Sequence, residues 1–476
     1  MRFHEFAGYR YMRHRQGGSR ACKMNFCIFM SRIDADVIII GGGAAGLAAA
    51  RALIESGRTV LILEGRARIG GRVYTVRDPL SPLPIELGAE FIHGESPELF
   101  GIAHSAGLTV TELSDRHLRA QNGELHPVDD FWKRIESVRR AMATIRRDRT
   151  VAEYLATHRK PAGRNRAIFS SFVEGFHAAD LGRMSVRSIA EEGGESETEG
   201  ANRQFRVTSG YDGIMLWLHS ALPAGGESLL TGTVVRSIHW KRGEVLVEAT
   251  NAAGAELGPF RARAAIVTVP IGVLMDGSSE AAIRFSPDPR GLRSSLSRLA
   301  SGNVAKMIFR FREAFWSRAG FMRGRLKANE GSSLEFLHCE GCEFPTFWTA
   351  APTRAAFITA WAGGPAADAL LDLGEIRMAD RGLDSLSKSL AIPRASLDDL
   401  LAGWSTHDWR ADPFSRGAYS YPLPGGLDAQ KRLARPVDGT LMFAGEATSV
   451  DGRGTVIGAI ESGRRAAKQF LSLSES

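Results

Sequence analysis

Residues 36–75 read DVIIIGGGAAGLAAARALIESGRTVLILEGRARIGGRVYT, and this stretch decides the fold. Residues 37–40 are a short run of β-branched side chains, which is typical of a strand buried on both faces. Gly41, Gly43 and Gly46 follow as G-x-G-x-x-G and open an alanine-rich segment with helical character. A second apolar strand ends at Glu64. The order strand, glycine turn, helix and strand predicts a Rossmann-type unit.

Each of these glycines has a physical task in a dinucleotide site. Gly41 permits the tight turn, Gly43 lets backbone N–H groups approach a pyrophosphate, and Gly46 allows close packing of helix and strand. The helix N-terminus adds partial positive charge for the phosphates. Glu64 follows Gly46 at the spacing of the acidic residue that accepts hydrogen bonds from the adenosine ribose. The unit therefore predicts dinucleotide binding.

The residues after Glu64 distinguish FAD from NAD. Arg66 and the run Gly70-Gly71-Arg72 complete the pattern E-x-R-x-x-x-G-G-R. This pattern is typical of flavoproteins of the glutathione-reductase type, in which the turn containing Gly71 and Arg72 lies against the pyrophosphate and the flavin. FAD is therefore the predicted cofactor.

The C-terminal stretch GTLMFAGEATSVDGRGTVIGAIESGRRAAKQFL predicts one more strand and a closing helix. Glu446 follows the strand and is expected to accept hydrogen bonds from the ribityl chain of FAD. Thr455 and Val456 open the helix, so we expect them to face the cofactor. An ordinary strand–helix pair without a cofactor role is the alternative. The predicted fold class is α/β, with a sheet completed by segments far apart in the chain.

Composition excludes several classes of protein. The formal charge is +7, but the basic residues are scattered through the chain, which does not favour nucleic-acid binding. The basic segment 1–32 is predicted to be a disordered extension, with a targeting arm as the alternative. The chain has no run of about 18 apolar residues, so neither a transmembrane helix nor a membrane partner is expected.

The cysteines predict neither a metal site nor a redox site. Cys339 and Cys342 form a single C-x-x-C with no second pair, and we expect an incidental loop there. A reducing, cytoplasmic setting fits this usage.

From about residue 36 to residue 470 the chain resembles the flavin-containing amine oxidases, the family of the monoamine, polyamine and spermine oxidases and of the oxidase domain of histone lysine demethylases. Beyond the Rossmann unit, the motifs ELGAEFIHG, VTSGYDGI, VVRSI, VPIGVL, GNVAKMIFRF, DPFSRGAYSYP and FAGEATS occur in family order. The resemblance implies an FAD-binding domain from residues 33–95, 205–275 and 400–475. It implies a mixed α+β substrate-binding domain from residues 96–204 and 276–399.

The resemblance also implies roles for individual residues. Val235 matches the position whose backbone contacts the adenine. Lys306 matches the lysine that holds a water against flavin N5, and it stands in an apolar run where an unpaired charge is costly. His93 matches the histidine that polyamine oxidases place near the substrate amine. Tyr419 matches one wall of the aromatic cage that orients the amine.

Four positions bear on how far the resemblance extends. Ala418 stands where monoamine oxidases carry the cysteine that bonds to flavin, so FAD is expected to be non-covalent. Thr455 and Gly452 occupy the places where relatives have the second cage tyrosine, so substrate identity does not carry over. Glu174 lies in a segment that contributes an acidic residue in some relatives.

The implied reaction is hydride transfer from the α-carbon of a small amine to flavin N5. Oxygen then reoxidises the flavin and gives hydrogen peroxide, and the imine hydrolyses to a carbonyl compound. The alternatives are an L-amino-acid oxidase, which would need a cationic group for the substrate carboxylate, a related flavin desaturase, and a flavin-binding protein without turnover.

Overall fold

The computed structural model describes residues 33–474, with gaps at 122, 129, 159–162, 164, 192–202, 278, 280, 319, 323–324 and 327–332. The basic segment 1–32 lies outside the described residues, so its predicted disorder stays a prediction. The residues from Ile33 onward form one compact unit.

A sheet of eight strands holds the Rossmann unit. Its strands are β1 (Ala35–Ile40), β2 (Val60–Leu63), β10 (Leu229–Leu230), β11 (Thr233–Lys241), β12 (Glu244–Asn251), β13 (Glu256–Val267), β14 (Arg284–Ser286) and β22 (Leu441–Phe443). They run in the order β10-β2-β1-β13-β12-β11-β14, and β22 pairs with β13. The pairs that β1 makes with β2 and β13 are parallel, whereas β11, β12 and β13 are antiparallel neighbours.

The helix of the Rossmann unit packs against the last helix of the chain. The first spans Ala44–Glu55 and the last spans Val456–Ser474. A Cβ added at Gly463 would lie 2.1 Å from the carbonyl oxygen of Ala45, so the two backbones approach too closely for any other residue. The two ends of the described chain are thereby held on the same side of the sheet.

A second sheet contains seven strands, which are β7 (His117–Gln121), β8 (Glu124–Pro127), β16 (Val304–Phe311), β17 (Phe336–Cys339), β18 (Thr346–Thr349), β19 (Phe357–Gly363) and β20 (Leu401–Thr406). They run in the order β20-β16-β19-β18-β17-β7-β8. Every residue of β16 except Arg310 is buried, so this strand is covered on both faces. In the antiparallel pair of β16 and β19, Lys306 stands opposite Trp361.

Three small sheets and further helices complete the described part. The small sheets pair β3 (Thr75–Val76) with β4 (Ile85–Glu86), β5 (Phe91–His93) with β9 (Gln204–Val207) and then β6 (Val110–Leu113), and β15 (Leu299–Gly302) with β21 (Tyr419–Pro422). The other α-helices are Pro97–Ser105, Phe131–Met142, Val151–Thr157, Arg166–Phe176, Val186–Glu191, Asp212–His219, Ile271–Met275, Leu292–Leu296, Pro365–Leu371, Glu375–Leu390, Arg394–Leu400 and Gly426–Leu433. Short 3₁₀ turns occupy Phe315–Ser317 and Glu446–Thr448.

The structure differs from the sequence-based expectation at two places. Residues 95–200, whose charged and amphipathic stretches predict helices, contain strands β6, β7 and β8. The distant partners of β6 and β7 are β9 and β17 respectively. The loop expected to be incidental contains a disulfide between Cys339 and Cys342. The three-residue spacing lets a turn bring the two sulfurs together after β17.

The proposed partition into two domains stays a prediction, and two strands cross its boundaries. β20 belongs to the second sheet although it falls in the segment assigned to FAD, whereas β14 joins the first sheet. No helix within the described ranges is long and apolar enough to cross a bilayer.

Candidate active site

A deep cavity opens at the carboxyl ends of β1, β2 and β13, the edge where open α/β sheets bind their ligands. It holds about 1270 Å³ of space free of protein atoms, a volume that includes the open solvent at its mouth. The lining includes Ile40, Gly41, Gly43, Leu63, Glu64, Arg66, Gly71, Arg72, Val235, Thr268, Lys306, Trp361, Ala418, Tyr419, Glu446, Thr455 and Val456.

The glycine turn has the geometry that the fingerprint requires. Gly41 has a φ of +110°, which side-chain-bearing residues rarely adopt. A Cβ on Gly46 would lie 1.9 Å from the carbonyl oxygen of Gly41, so only glycine allows this approach of helix to strand. A Cβ on Gly43 would meet no atom closer than 3.8 Å, so the backbone there faces the open cavity. These features leave a cradle at a helix N-terminus that fits a pyrophosphate.

Glu64 is buried at the end of β2 and stabilises the turn that it faces. One carboxylate oxygen accepts a hydrogen bond from the N–H of Gly42 at 2.6 Å, and the other accepts from the N–H of Arg66 at 2.8 Å. A carboxylate offers about four acceptor positions, so two remain for a ribose. The side chain therefore orders the loop and can also bind a cofactor hydroxyl.

Arg66 connects the Rossmann unit to a loop near the end of the chain. Its Nη2 donates to Asp412 Oδ1 and to Ser415 Oγ, both at 2.7 Å. Burial alone would raise the pKa of Asp412, but His407 and Arg66 lower it to about 2. This carboxylate therefore stays charged and holds Arg66 at the cavity wall.

Arg72 and Glu446 also line the cavity and form an ion pair. Arg72 Nη1 lies 3.0 Å from Glu446 Oε1 and donates to the carbonyl oxygen of Ala418 at 2.6 Å. The second oxygen of Glu446 accepts from Ser420 Oγ at 2.6 Å and from the N–H of Gly454 at 3.2 Å. Three segments distant in sequence are joined around this one carboxylate.

Two aromatic side chains of the cavity lining, Tyr419 and Trp361, contact each other. Tyr419 stacks on Trp361 with ring centroids 6.3 Å apart and an interplanar angle of 25°. Burial raises the pKa of Tyr419, so its phenol stays neutral. Trp361 is held by a hydrogen bond from its Nε1 to the carbonyl oxygen of Gly175 at 2.9 Å. The sequence reasoning missed Trp361, since only its position opposite Lys306 in the sheet brings it to the cavity.

Lys306 lines the cavity and is 3% exposed, which excludes a solvent-facing position on β16. Its Nζ lies 2.8 Å from Glu90 Oε2 and donates to the carbonyl oxygen of Gly88 at 3.2 Å. Glu90 also accepts from Arg206 Nη2 at 2.8 Å and from Trp348 Nε1 at 3.1 Å. The sequence reasoning missed Glu90, although an acidic residue within the apolar stretch 87–92 was a signal.

Two residues with predicted substrate roles lie outside the cavity lining. The side chain of His93 is exposed, and its nearest described rings belong to Phe176 at 5.0 Å and Phe91 at 6.2 Å. Glu174 is half-buried, and burial raises the pKa of its carboxyl group. Contact of either side chain with a substrate stays a prediction. Gly46 also lies outside the lining, as its packing role requires.

Comparisons with known proteins agree with this geometry. A family model described as flavin-containing amine oxidoreductase matches residues 44–471. Probable polyamine oxidase 4 of Arabidopsis thaliana is 28% identical over 465 residues, which cover 91% of this chain and 86% of that protein. Lysine-specific histone demethylase 1 homolog 2 of Oryza sativa subsp. japonica is 28% identical over 94% of this chain, which spans 58% of that protein.

Solved structures of similar fold include two oxidases of small amines. A putrescine oxidase bound to putrescine superimposes with a TM-score of 0.74 at 19% identity, over 92% of this chain and 99% of that one. Cyclohexylamine oxidase from Brevibacterium oxydans gives a TM-score of 0.73 at 22% identity, over 93% of this chain and all of the other. At these identities the likeness establishes the α/β fold.

Proposed function

The chain belongs to the flavin-containing amine oxidoreductases, and from this premise we propose that it is an oxygen-dependent oxidase of a small amine with FAD as its cofactor. When bound, the flavin would accept a hydride from the amine α-carbon and pass the electrons to oxygen as hydrogen peroxide. The released imine would hydrolyse to a carbonyl compound. The observation that carries the proposal is one cavity that unites a dinucleotide cradle with Lys306, Tyr419 and Trp361.

Charge pairing favours an amine over an amino acid as the substrate. The described lining of the cavity carries three cationic side chains, Arg66, Arg72 and Lys306. Each is paired with a carboxylate, at 2.7 Å from Asp412, 3.0 Å from Glu446 and 2.8 Å from Glu90 respectively. An amino-acid oxidase needs a cation for the substrate carboxylate, and all three of these are already neutralised. The charge pairing therefore favours an amine oxidase over an amino-acid oxidase.

The protein would supply orientation, a dry site and control of protonation. The stacked rings of Tyr419 and Trp361 would present an apolar wall to the substrate, and a neutral phenol suits an uncharged amine. Lys306 would supply a fixed hydrogen-bond donor at the reacting end. The reactive amine is neutral in this scheme, so the rate at limiting substrate should rise with pH until the amine or an enzyme group has lost its proton.

We propose that FAD is held without a covalent bond. Ala418 lines the cavity where a bond-forming cysteine would stand, and a methyl group has no nucleophile to offer. Acid or heat denaturation should release intact FAD into the supernatant. Flavin that stays with the precipitated polypeptide would contradict the non-covalent assignment.

An aerobic amine panel tests the proposed function. The panel contains putrescine, spermidine, cyclohexylamine, benzylamine and several L-amino acids, and peroxide and carbonyl product are both measured. We expect stoichiometric peroxide and carbonyl from at least one amine and none from the amino acids. Turnover of amino acids alone would favour the alternative oxidase. A yellow protein that oxidises nothing would favour a flavin-binding role without turnover. A cytoplasmic location and the absence of a nucleic-acid partner remain part of the proposal.

A further inference from the structure

Glu90 is a buried carboxylate that lies directly behind the cavity. It stands just before β5 and its side chain is 8% exposed. It has three partners drawn from three different strands: Lys306 on β16, Arg206 on β9 and Trp348 on β18. Glu90 is not itself among the lining residues, whereas Lys306 is. The carboxylate can therefore act on the cavity through Lys306.

The hydrogen bonds of Lys306 leave one donor for the cavity. A lysine ammonium has three N–H donors. Glu90 takes one at 2.8 Å and the carbonyl oxygen of Gly88 takes another at 3.2 Å. The Trp348 ring covers the same ammonium, with its centroid 5.8 Å from Nζ. Two fixed acceptors and one ring thus define the direction in which the third donor points.

The Lys306 ammonium is buried, and Glu90 is the carboxylate with which it forms an ion pair. A lysine at 3% exposure loses most of its hydration, which disfavours the ammonium, whereas an adjacent carboxylate favours it. The Glu90 carboxylate stays negatively charged. Burial alone would raise the pKa of Glu90, but Lys306 and Arg206 hold it below its usual range. Arg206 is itself anchored by the carbonyl oxygens of Thr349 and Ala351, both at 3.3 Å.

We propose that Glu90 is a positioning residue, which keeps the Lys306 ammonium charged and aims its remaining N–H into the cavity. This inference rests on the proposed function, since it assigns a task within the same site. Besides Lys306 and Arg206, the titratable groups around Glu90 are Glu86 and Tyr419. Burial raises the pKa of Tyr419, and it raises that of Glu86 to about 7, so Glu86 is only partly ionised at neutral pH. Glu90 is the carboxylate that contacts Lys306 directly.

The test uses a reaction that needs no substrate. The holoenzyme is reduced by light or dithionite and mixed with oxygen in a stopped-flow instrument between pH 6 and 10. In Glu90→Gln we expect reoxidation at least about tenfold slower at pH 8, the lower edge of the effect of one preorganised charge. We also expect the midpoint of its decline with rising pH to move at least about one unit lower. Glu90→Asp keeps the charge and should recover part of both effects.

A second set of variants separates positioning from a structural role. Glu86→Gln removes another buried carboxylate of the same segment, which is hydrogen-bonded to Thr75 and Tyr211 and not to Lys306. It interacts with Lys306 only at a distance, so this variant should slow reoxidation less than Glu90→Gln does. In a Lys306→Met background, Glu90→Gln should change the reoxidation rate less than twofold. The visible spectrum of the bound oxidised flavin, titrated with pH, should show the same shift in Glu90→Gln without any turnover.

The outcomes are distinct from those of the proposed function. Reoxidation and spectra that match the wild type in Glu90→Gln would overturn the proposal, as would an equal slowing in the Lys306→Met background. The variants Glu90→Gln, Lys306→Met and their combination form a double-mutant cycle. If this cycle behaves as expected while no amine is oxidised, the proposed function is wrong and the role of Glu90 is supported. If amines are oxidised but the effects of Glu90→Gln and Lys306→Met on reoxidation are additive, the role of Glu90 is wrong and the proposed function is unaffected.

Discussion

Arg72 Nη1 lies 3.0 Å from Glu446 Oε1, although the two residues are 374 positions apart in the chain. Arg72 belongs to the turn after the Rossmann unit and Glu446 to the turn after the last strand. Both line the same cavity, and the ion pair is largely shielded from water. The contact joins the first and last motifs of the sequence into one wall of the cofactor site.

Glu446→Ala should weaken flavin retention about 10- to 100-fold. The change leaves Arg72 without its countercharge and Ser420 Oγ without its acceptor, and each buried unsatisfied group costs about 1–3 kcal/mol. Fluorescence titration of the apoprotein with FAD measures the effect. Glu55→Ala removes an exposed carboxylate of a surface pair and should bind FAD as the wild type does. Equal affinity in Glu446→Ala would show that this contact does not shape the site.

Gly46→Ala should yield protein that does not hold flavin. The added methyl group would lie 1.9 Å from the carbonyl oxygen of Gly41, so the helix and the glycine turn would have to separate. Gly101→Ala is the matched control, because that helical glycine has no atom within 4 Å of an added Cβ. The control should gain up to about 1 kcal/mol of stability. Flavin content per protein and urea unfolding report both effects, and normal flavin content in Gly46→Ala would refute the close approach.

Glu86 should make folding stability depend on pH. Burial raises its pKa from 4.5 to about 7, although Tyr211, Thr75 and Lys306 act in the opposite direction. Because the folded pKa lies above the unfolded one, its contribution to stability is fully present below about pH 4.5 and is lost as the pH rises through about 7. The loss by pH 8 is on the order of 3 kcal/mol.

Glu86→Gln should remove this dependence. The difference in the free energy of unfolding between wild type and variant should shift in favour of the variant from pH 5 to pH 8. Urea unfolding at four pH values across that range measures it. Parallel pH profiles for the two proteins would mean that Glu86 does not titrate in this window.

Lys306→Met should slow flavin chemistry by about 10²–10³-fold, the usual effect of losing one preorganised electrostatic group. Stability should fall as well, by about 1–3 kcal/mol, because Glu90 loses one of its partners. Arg206 and Trp348 still donate to that carboxylate, so the fold should survive. Stopped-flow measurement of flavin reduction and reoxidation decides the matter. Wild-type rates for both steps would show that Lys306 has no role in flavin reduction or reoxidation.

The Rossmann unit could be predicted from sequence because its information is local. The glycine spacing, the apolar strand and Glu64 all fall within residues 36–75, and the structure places each where the fingerprint implies. Most of the predicted cofactor residues line the cavity, and they were predicted the same way, by motifs that carry their own geometry.

The partners of Lys306 could not be predicted in this way. Glu90, Arg206 and Trp348 meet only because β5 pairs with β9 and because β16 and β18 share the neighbour β19. Trp361 reaches the cavity for the same reason, since strand register decides its neighbours. The strands β6 and β7 were missed because their partners β9 and β17 lie far away in the chain, whereas local propensity reports only neighbouring residues.

Anaerobic mixing of the purified yellow protein with an amine tests the central claim most directly. The absorbance of the bound flavin near 450 nm is followed for each amine of the panel, before any oxygen is admitted. We predict that at least one amine bleaches the flavin completely, and that oxygen then restores the colour with one peroxide per flavin. A protein that keeps its flavin yet stays yellow with every amine would contradict the account.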